Sequence, residues 1–152
     1  MSFPRCLALP LFFALTATAA EKPSAEGDMK KMQGTWAVAS LTTNGKRVPA
    51  DALKNAHFIV TTNKYRYRGD ENYEGTFTLV PSSKPRGIDS TFLETEGAST
   101  KATGVARGIY KFEGGRLIFC WSQAGSETRP KEFSSEPKSG NRLMILEKAK
   151  GK

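Results

Sequence analysis

The stretch ARGIYKFEGGRLIFCWS, Ala106 to Ser122, constrains this chain more than any other. Two β-rich runs flank Gly114-Gly115, and a Gly-Gly pair supplies the positive φ angles that a two-residue hairpin turn requires. The turn sets a register in which Glu113 faces Arg116, Phe112 faces Leu117, Tyr110 faces Phe119 and Gly108 faces Trp121. Strand side chains alternate, so the last three pairs share one aromatic, apolar face. Lys111/Ile118 and Ile109/Cys120 fall on the other face with Glu113/Arg116. Gly108 leaves room for the indole opposite it. A slip by one residue would bury Lys111 and Arg116, so the register is strongly specified.

The same alternation recurs along the chain. A strand over 34–42 carries Trp36, Val38 and Ser40 on one side, and Asn44-Gly45 then signals a turn. Pro49 near its start, Asp51 in its first turn and good helix formers predict a short helix up to Ala56. Residues 57–62 and 64–68 read as strands; in the second, Lys64, Arg66 and Arg68 point out while Tyr65 and Tyr67 point in. Residues 69–74 form a polar turn, 75–80 a strand with Phe77 and Leu79 inward, 81–87 a loop and 88–93 a strand. Residues 94–105, rich in Gly, Ser and Thr, read as a long loop. After the hairpin, 124–140 is a second long connection and 142–148 the last strand. Short strands at close spacing predict an all-β fold, an antiparallel up-and-down barrel of about eight strands. One short helix lies between its first two strands. Closure also removes exposed sheet edges.

The N-terminus reads as a secretory signal over 1–20. It has Arg5, an apolar run from Cys6 to Leu15 and the A-x-A form Ala17-Thr18-Ala19, with cleavage expected after Ala19 or Ala20. The apolar run is too short to span a membrane, so the mature protein is expected to be secreted or periplasmic, with no transmembrane segment. Residues 21–31 are polar and contain Pro and Gly, which predicts a flexible leader. Residues 32–148 are the barrel domain and 149–152 a basic tail.

Composition excludes several kinds of chemistry. Cleavage removes Cys6 and leaves Cys120 alone, so no internal disulfide forms. One Cys and one His, His57, cannot supply a zinc cluster. No hydrolase elbow, P-loop or paired-His motif occurs, and no catalytic residue, metal site or cofactor is expected. Asp70, Glu71 and Glu74 lack the spacing of a calcium loop and read as a solvated turn. The formal charge of +8, less the unit that Arg5 carries, favours encounters with anionic polymers without defining a site. No nucleic-acid partner is expected, and a monomer is.

Gln33-Gly34-Thr35-Trp36 resembles the G-x-W that opens the first strand of lipocalins and related calycin barrels. Lys84-Pro85-Arg86-Gly87-Ile88-Asp89, Gly108-Ile109-Tyr110, Leu117 with Cys120-Trp121, and Arg129-Pro130-x-x-Phe133 resemble, in order, a lipocalin-like domain family of unknown function abundant in planctomycete bacteria. These blocks cover about residues 32–148. The resemblance implies a small extracytoplasmic β-barrel and brings no established activity or ligand. It also implies a basic side chain near the chain's end over Trp36, a place open to Arg142 or Lys148. The chain departs from true lipocalins in having no T-D-Y-type block at Glu113–Arg116, no helix after the last strand and no cysteine pair.

The expected function is therefore binding. The inward aromatics Trp36, Tyr65, Tyr67, Phe77, Tyr110, Phe119 and Trp121 are the candidate ligand-binding residues, joined in the interior by Phe58 and Phe112. An eight-stranded barrel is wide enough either to be filled by such side chains or to hold one small ligand. The leading expectation is a small hydrophobic or aromatic ligand at the barrel mouth, with residues 48–56 as a lid. The alternative is a filled barrel that binds an envelope protein or anionic polymer through its loops. Asp89 and Arg129 are expected to pair and tie the 124–140 connection down; an Arg86 left free nearby could receive an anionic group. That connection is also expected to cover the outward patch of Ile109, Ile118 and Cys120.

Overall fold

The computed structural model describes residues 24–69, 72–96 and 99–149, with the backbone alone over 94–103. The signal over 1–20, the start of the leader, Asp70, Glu71 and the last three residues of the basic tail lie outside the described residues. The elements are α1 (Ala25–Met32), β1 (Gly34–Thr43), β2 (Lys46–Arg47), α2 (Ala50–Leu53), β3 (His57–Thr61), β4 (Lys64–Arg68), β5 (Asn72–Val80), β6 (Gly87–Glu96), β7 (Ser99–Glu113), β8 (Arg116–Trp121) and β9 (Arg142–Lys148).

All pairings are antiparallel. From β3 to β9 each strand pairs with the next in sequence, and β1 joins β3 on one side and β9 on the other. That closes an eight-stranded up-and-down barrel, with β2 as an extra two-residue strand on β1. The β7–β8 hairpin has the expected register, from Glu113 opposite Arg116 to Gly108 opposite Trp121. Gly114 and Gly115 have φ of 57° and 76°, as the turn demands. A Cβ on Gly108 would lie 2.5 Å from Cδ1 of Trp121, so glycine is what admits the indole. Gly75 serves Tyr65 in the same way on the β4–β5 pair.

Two expectations are corrected. Residues 94–105 are not a loop: β6 and β7 continue as a hairpin, with Leu93 opposite Ala102 and Glu96 opposite Ser99. The Gly and Ser content masks the strand-favouring Thr95, Thr100, Thr103 and Val105, and a register shift between Thr91 and Leu93 accommodates the extension. The leader is not flexible over 25–31, because α1 occupies it. Ser24 caps the helix by accepting from the Gly27 amide at 3.0 Å, with Glu26 and Asp28 in the first turn and Lys30 and Lys31 in the last. Such a short helix needs tertiary packing. Met32 supplies it by inserting fully into the barrel's narrow end.

The interior is apolar. Trp36, Phe58, Tyr65, Tyr67, Phe77, Tyr110, Phe119 and Trp121 are all buried, as the alternation predicts, and Phe112 is half-buried against them. The helix expected before β3 is the single turn α2, whose Leu53 is buried among the same residues. Outside the barrel, the 124–140 connection covers the patch opposite. Ile109 and Cys120 are wholly buried, Ile118 nearly so, and the Cys120 thiol donates to the Ser134 carbonyl at 3.2 Å.

Candidate functional site

The inward row of β9 alternates Arg142, Met144, Leu146 and Lys148, so an apolar middle is flanked by a cation at each end of the barrel. Lys148 belongs to the narrow end. Its ammonium lies 4.2 Å from the ring centroid of Trp36 and donates to the Gln33 carbonyl. Lys148, rather than Arg142, therefore covers the first-strand tryptophan. Trp36 donates its indole N–H to the Met32 carbonyl at 2.8 Å.

The narrow end is locked by a buried carboxylate. Asp28 on α1 is 2 % exposed. Its Oδ2 accepts from the Tyr110 hydroxyl at 2.7 Å and from Arg86 at 2.9 Å. Arg86 is thus not free to receive an anion, which corrects the expectation for it: α1 brings its own. Burial, and then the hydrogen bond to Asp28, raise the Tyr110 hydroxyl above the usual tyrosine value. Tyr110 is consequently a structural anchor rather than a lining residue.

The Asp89–Arg129 pair forms as expected. Arg129 Nη2 lies 2.7 Å from Asp89 Oδ1, and its Nη1 donates to the carbonyls of Ile88, at 3.1 Å, and Gly108. The guanidinium rests against Gly87, where a Cβ would come within 2.9 Å of it. One side chain therefore clamps the connection to both β6 and β7. Under it, burial pushes the Cys120 thiol up to about 11. A thiol so protonated and covered is a packed side chain, not a nucleophile.

The wide end is open. Between β1, β3–β6, β8, β9 and the two ends of the 124–140 connection lies a pocket of about 240 Å³. Its apolar walls are Phe58, Tyr65, Tyr73, Phe92 and Trp121. Thr43, Gln123 and Arg142 stand among its polar lining. The rings hold one another: Phe58 stacks on Tyr65 at 5.2 Å, while Tyr73 and Phe92 meet Tyr65 edge-on at 6.4 and 6.1 Å. Trp121 stacks on Phe119 at 4.6 Å and donates its N–H to Ser90 at 3.1 Å. Such mutual packing builds the walls before anything arrives.

Of the seven candidate ligand-binding residues, Tyr65 and Trp121 line this pocket. Trp36, Tyr67, Phe77, Tyr110 and Phe119 are buried core side chains away from its lining. Residues 48–56 do not line it either. With Leu53 and Ala56 buried, they are packed beside the mouth rather than poised over it. Tyr73, Phe92 and Arg142 were not foreseen as lining. Tyr73 lies in what reads as a polar turn but pairs with Tyr67 and stacks on it at 4.7 Å. Phe92 continues the inward row of Ile88 and Ser90, a signal that strand alternation contains.

One polar atom at this end stands out. The Tyr65 hydroxyl is buried and has no hydrogen-bond partner among the described residues. Burial raises it above the usual tyrosine value; nearby Tyr73 adds to the rise and Arg142 opposes it. Comparison of the chain with protein-family models, with curated proteins and with solved structures found no match.

Proposed function

We propose that this chain is an extracytoplasmic, lipocalin-like binding module that takes one small aromatic or hydrophobic molecule at the mouth of its barrel. The observation that carries the reading is the pocket of about 240 Å³ walled by five interlocked aromatic side chains at the open end of an otherwise filled barrel. Apolar concavities with a few convergent polar groups are the usual form of small-molecule sites. The lipocalin-like part of the reading draws on Gly34-Thr35-Trp36 at the start of β1 and on the lysine that covers the tryptophan. The extracytoplasmic part draws on Arg5, the apolar run and Ala17-Thr18-Ala19. No step of chemistry is assigned, since His57 spends its Nδ1 on the Asn55 carbonyl and Cys120 is covered.

Native mass spectrometry of the protein released gently from its own envelope tests this. A stoichiometric small-molecule adduct that disappears in Phe92→Ala and Tyr73→Ala, and persists in the outward-facing Lys64→Ala, is the expected result. A protein-sized adduct that survives both pocket variants would instead favour a module that engages an envelope protein through its loops.

A further inference from the structure

Resting on that reading, we infer that the ligand is an aromatic acid: a compact one- or two-ring molecule whose carboxylate is received by Arg142 while its ring lies among Phe92, Tyr73 and Trp121. Among the described residues, Arg142 is the one charged side chain of the pocket lining. It stands opposite Trp121 on β8 and Thr43 on β1, so its side chain leaves β9 on the barrel's inner face. Among the described residues it has no carboxylate partner. Its contacts are the face of Tyr73, 5.9 Å from the ring centroid, and the Tyr73 hydroxyl at 3.4 Å. A guanidinium offers five N–H donors in a planar fork, and a 3.4 Å contact is a long use of one of them. Half-buried among rings, such a group gains most from a ligand that brings a planar anion.

Two other partly buried arginines are used differently, while Arg107 donates to the Glu127 carbonyl on the outer surface. Arg86 meets Asp28 at 2.9 Å and Arg129 meets Asp89 at 2.7 Å. Each of those two holds an element in place. Arg142 ties no element of the described chain to another by an ion pair, and it faces the pocket. Size sharpens the class further. At about 240 Å³ the pocket is smaller than the usual sites of drug-sized ligands. Phe58 and Trp121, with Phe119 behind them at 5.7 and 4.6 Å, close the floor, so a long acyl chain has nowhere to descend. A flat ring with a short acid arm suits both the depth and the charge.

The test is calorimetric titration of the full chain at pH 7 with three matched pairs of acid and neutral amide: benzoate and benzamide, cinnamate and cinnamamide, indole-3-acetate and indole-3-acetamide. In the wild type at least one acid is expected to bind about tenfold or more tightly than its amide, the scale of a hydrogen bond to a charged group. Arg142→Gln should bring the pair level, and Arg142→Lys should keep part of the preference, which covers the case in which the glutamine variant folds poorly. Phe92→Ala should weaken acid and amide alike without changing their ratio. Equal binding of acid and amide to the wild type would overturn the inference and leave the aromatic pocket standing. An acid preference that survives Arg142→Gln would overturn the role given to Arg142. Binding of no member of the panel up to millimolar concentration would count against the pocket reading itself.

Discussion

β9 sends a basic side chain into the barrel at each end, and the two ends use it differently. At the narrow end Lys148 is spent: its ammonium covers Trp36 and donates to Gln33. Beside it Asp28 accepts from both Tyr110 and Arg86. At the wide end, among the described residues, Arg142 has the ring and hydroxyl of Tyr73 as its side-chain contacts, and the Tyr65 hydroxyl has no partner. Burying polar groups is tolerable when they are paired and costly when they are not. The narrow end therefore reads as structure, its buried polar side chains paired among the described residues. The wide end keeps uncommitted polar groups against preformed aromatic walls, which is where a binding surface concentrates its unspent interactions.

The largest expected effect breaks the narrow end. Asp28→Ala removes the acceptor of a buried tyrosine and the partner of Arg86, and it should lower unfolding stability by on the order of 3 kcal/mol. Chemical denaturation followed by tryptophan fluorescence measures this directly. An unchanged midpoint and slope would mean that α1 closes the barrel through Met32 alone. Next in size is the clamp on the outer face. A double-mutant cycle on Asp89→Ala and Arg129→Ala should give a coupling of about 1–2 kcal/mol, modest because both side chains keep some water contact. Freeing that clamp should also expose Cys120, so iodoacetamide should alkylate Arg129→Ala faster than the wild type. The thiol adds a pH dependence. With its folded value raised from 9.0 to about 11, its contribution is fully present below pH 9. As pH rises from there to about 11 the unfolded chain loses its proton first, and stability falls. Cys120→Ala should flatten that part of the pH profile.

How far these features were legible in the sequence depends on how local their cause is. The β7–β8 register follows from two glycines and side-chain parity, both contained in one short stretch, and every pairing from Glu113 to Gly108 is the expected one. The inward aromatics follow from the same parity. Asp89 with Arg129 was within reach because both fall in the blocks that carry the family resemblance, near the stiffening Pro85 and Pro130. Asp28 was not. Its partners lie 58 and 82 residues away, and nothing in its own surroundings distinguishes it from a solvated helix acid. The pocket was only half legible for a related reason. Parity tells which side chains point inward and not how deep along the barrel each one sits. Trp36 and Trp121 share a face by that rule, yet one is sealed under Lys148 and the other lines the mouth.

The two tyrosines sharpen the comparison between the ends with the smallest change possible, one oxygen atom. Tyr110→Phe deletes a hydroxyl that donates to a buried carboxylate and should cost about 1 kcal/mol, since Asp28 keeps Arg86. Tyr65→Phe deletes a hydroxyl that is buried 3 % exposed and bonded to nothing described, so the folded state loses no hydrogen bond while its desolvation penalty disappears. The stacking on Phe58 and the edge contacts to Tyr73 and Phe92 need only the ring. Stability should therefore stay within about 0.5 kcal/mol of the wild type or rise. Thermal unfolding of both variants in one buffer decides it. A loss at Tyr65 as large as that at Tyr110 would show that its hydroxyl is already engaged in the free protein, and the wide end would then be as fully committed as the narrow one.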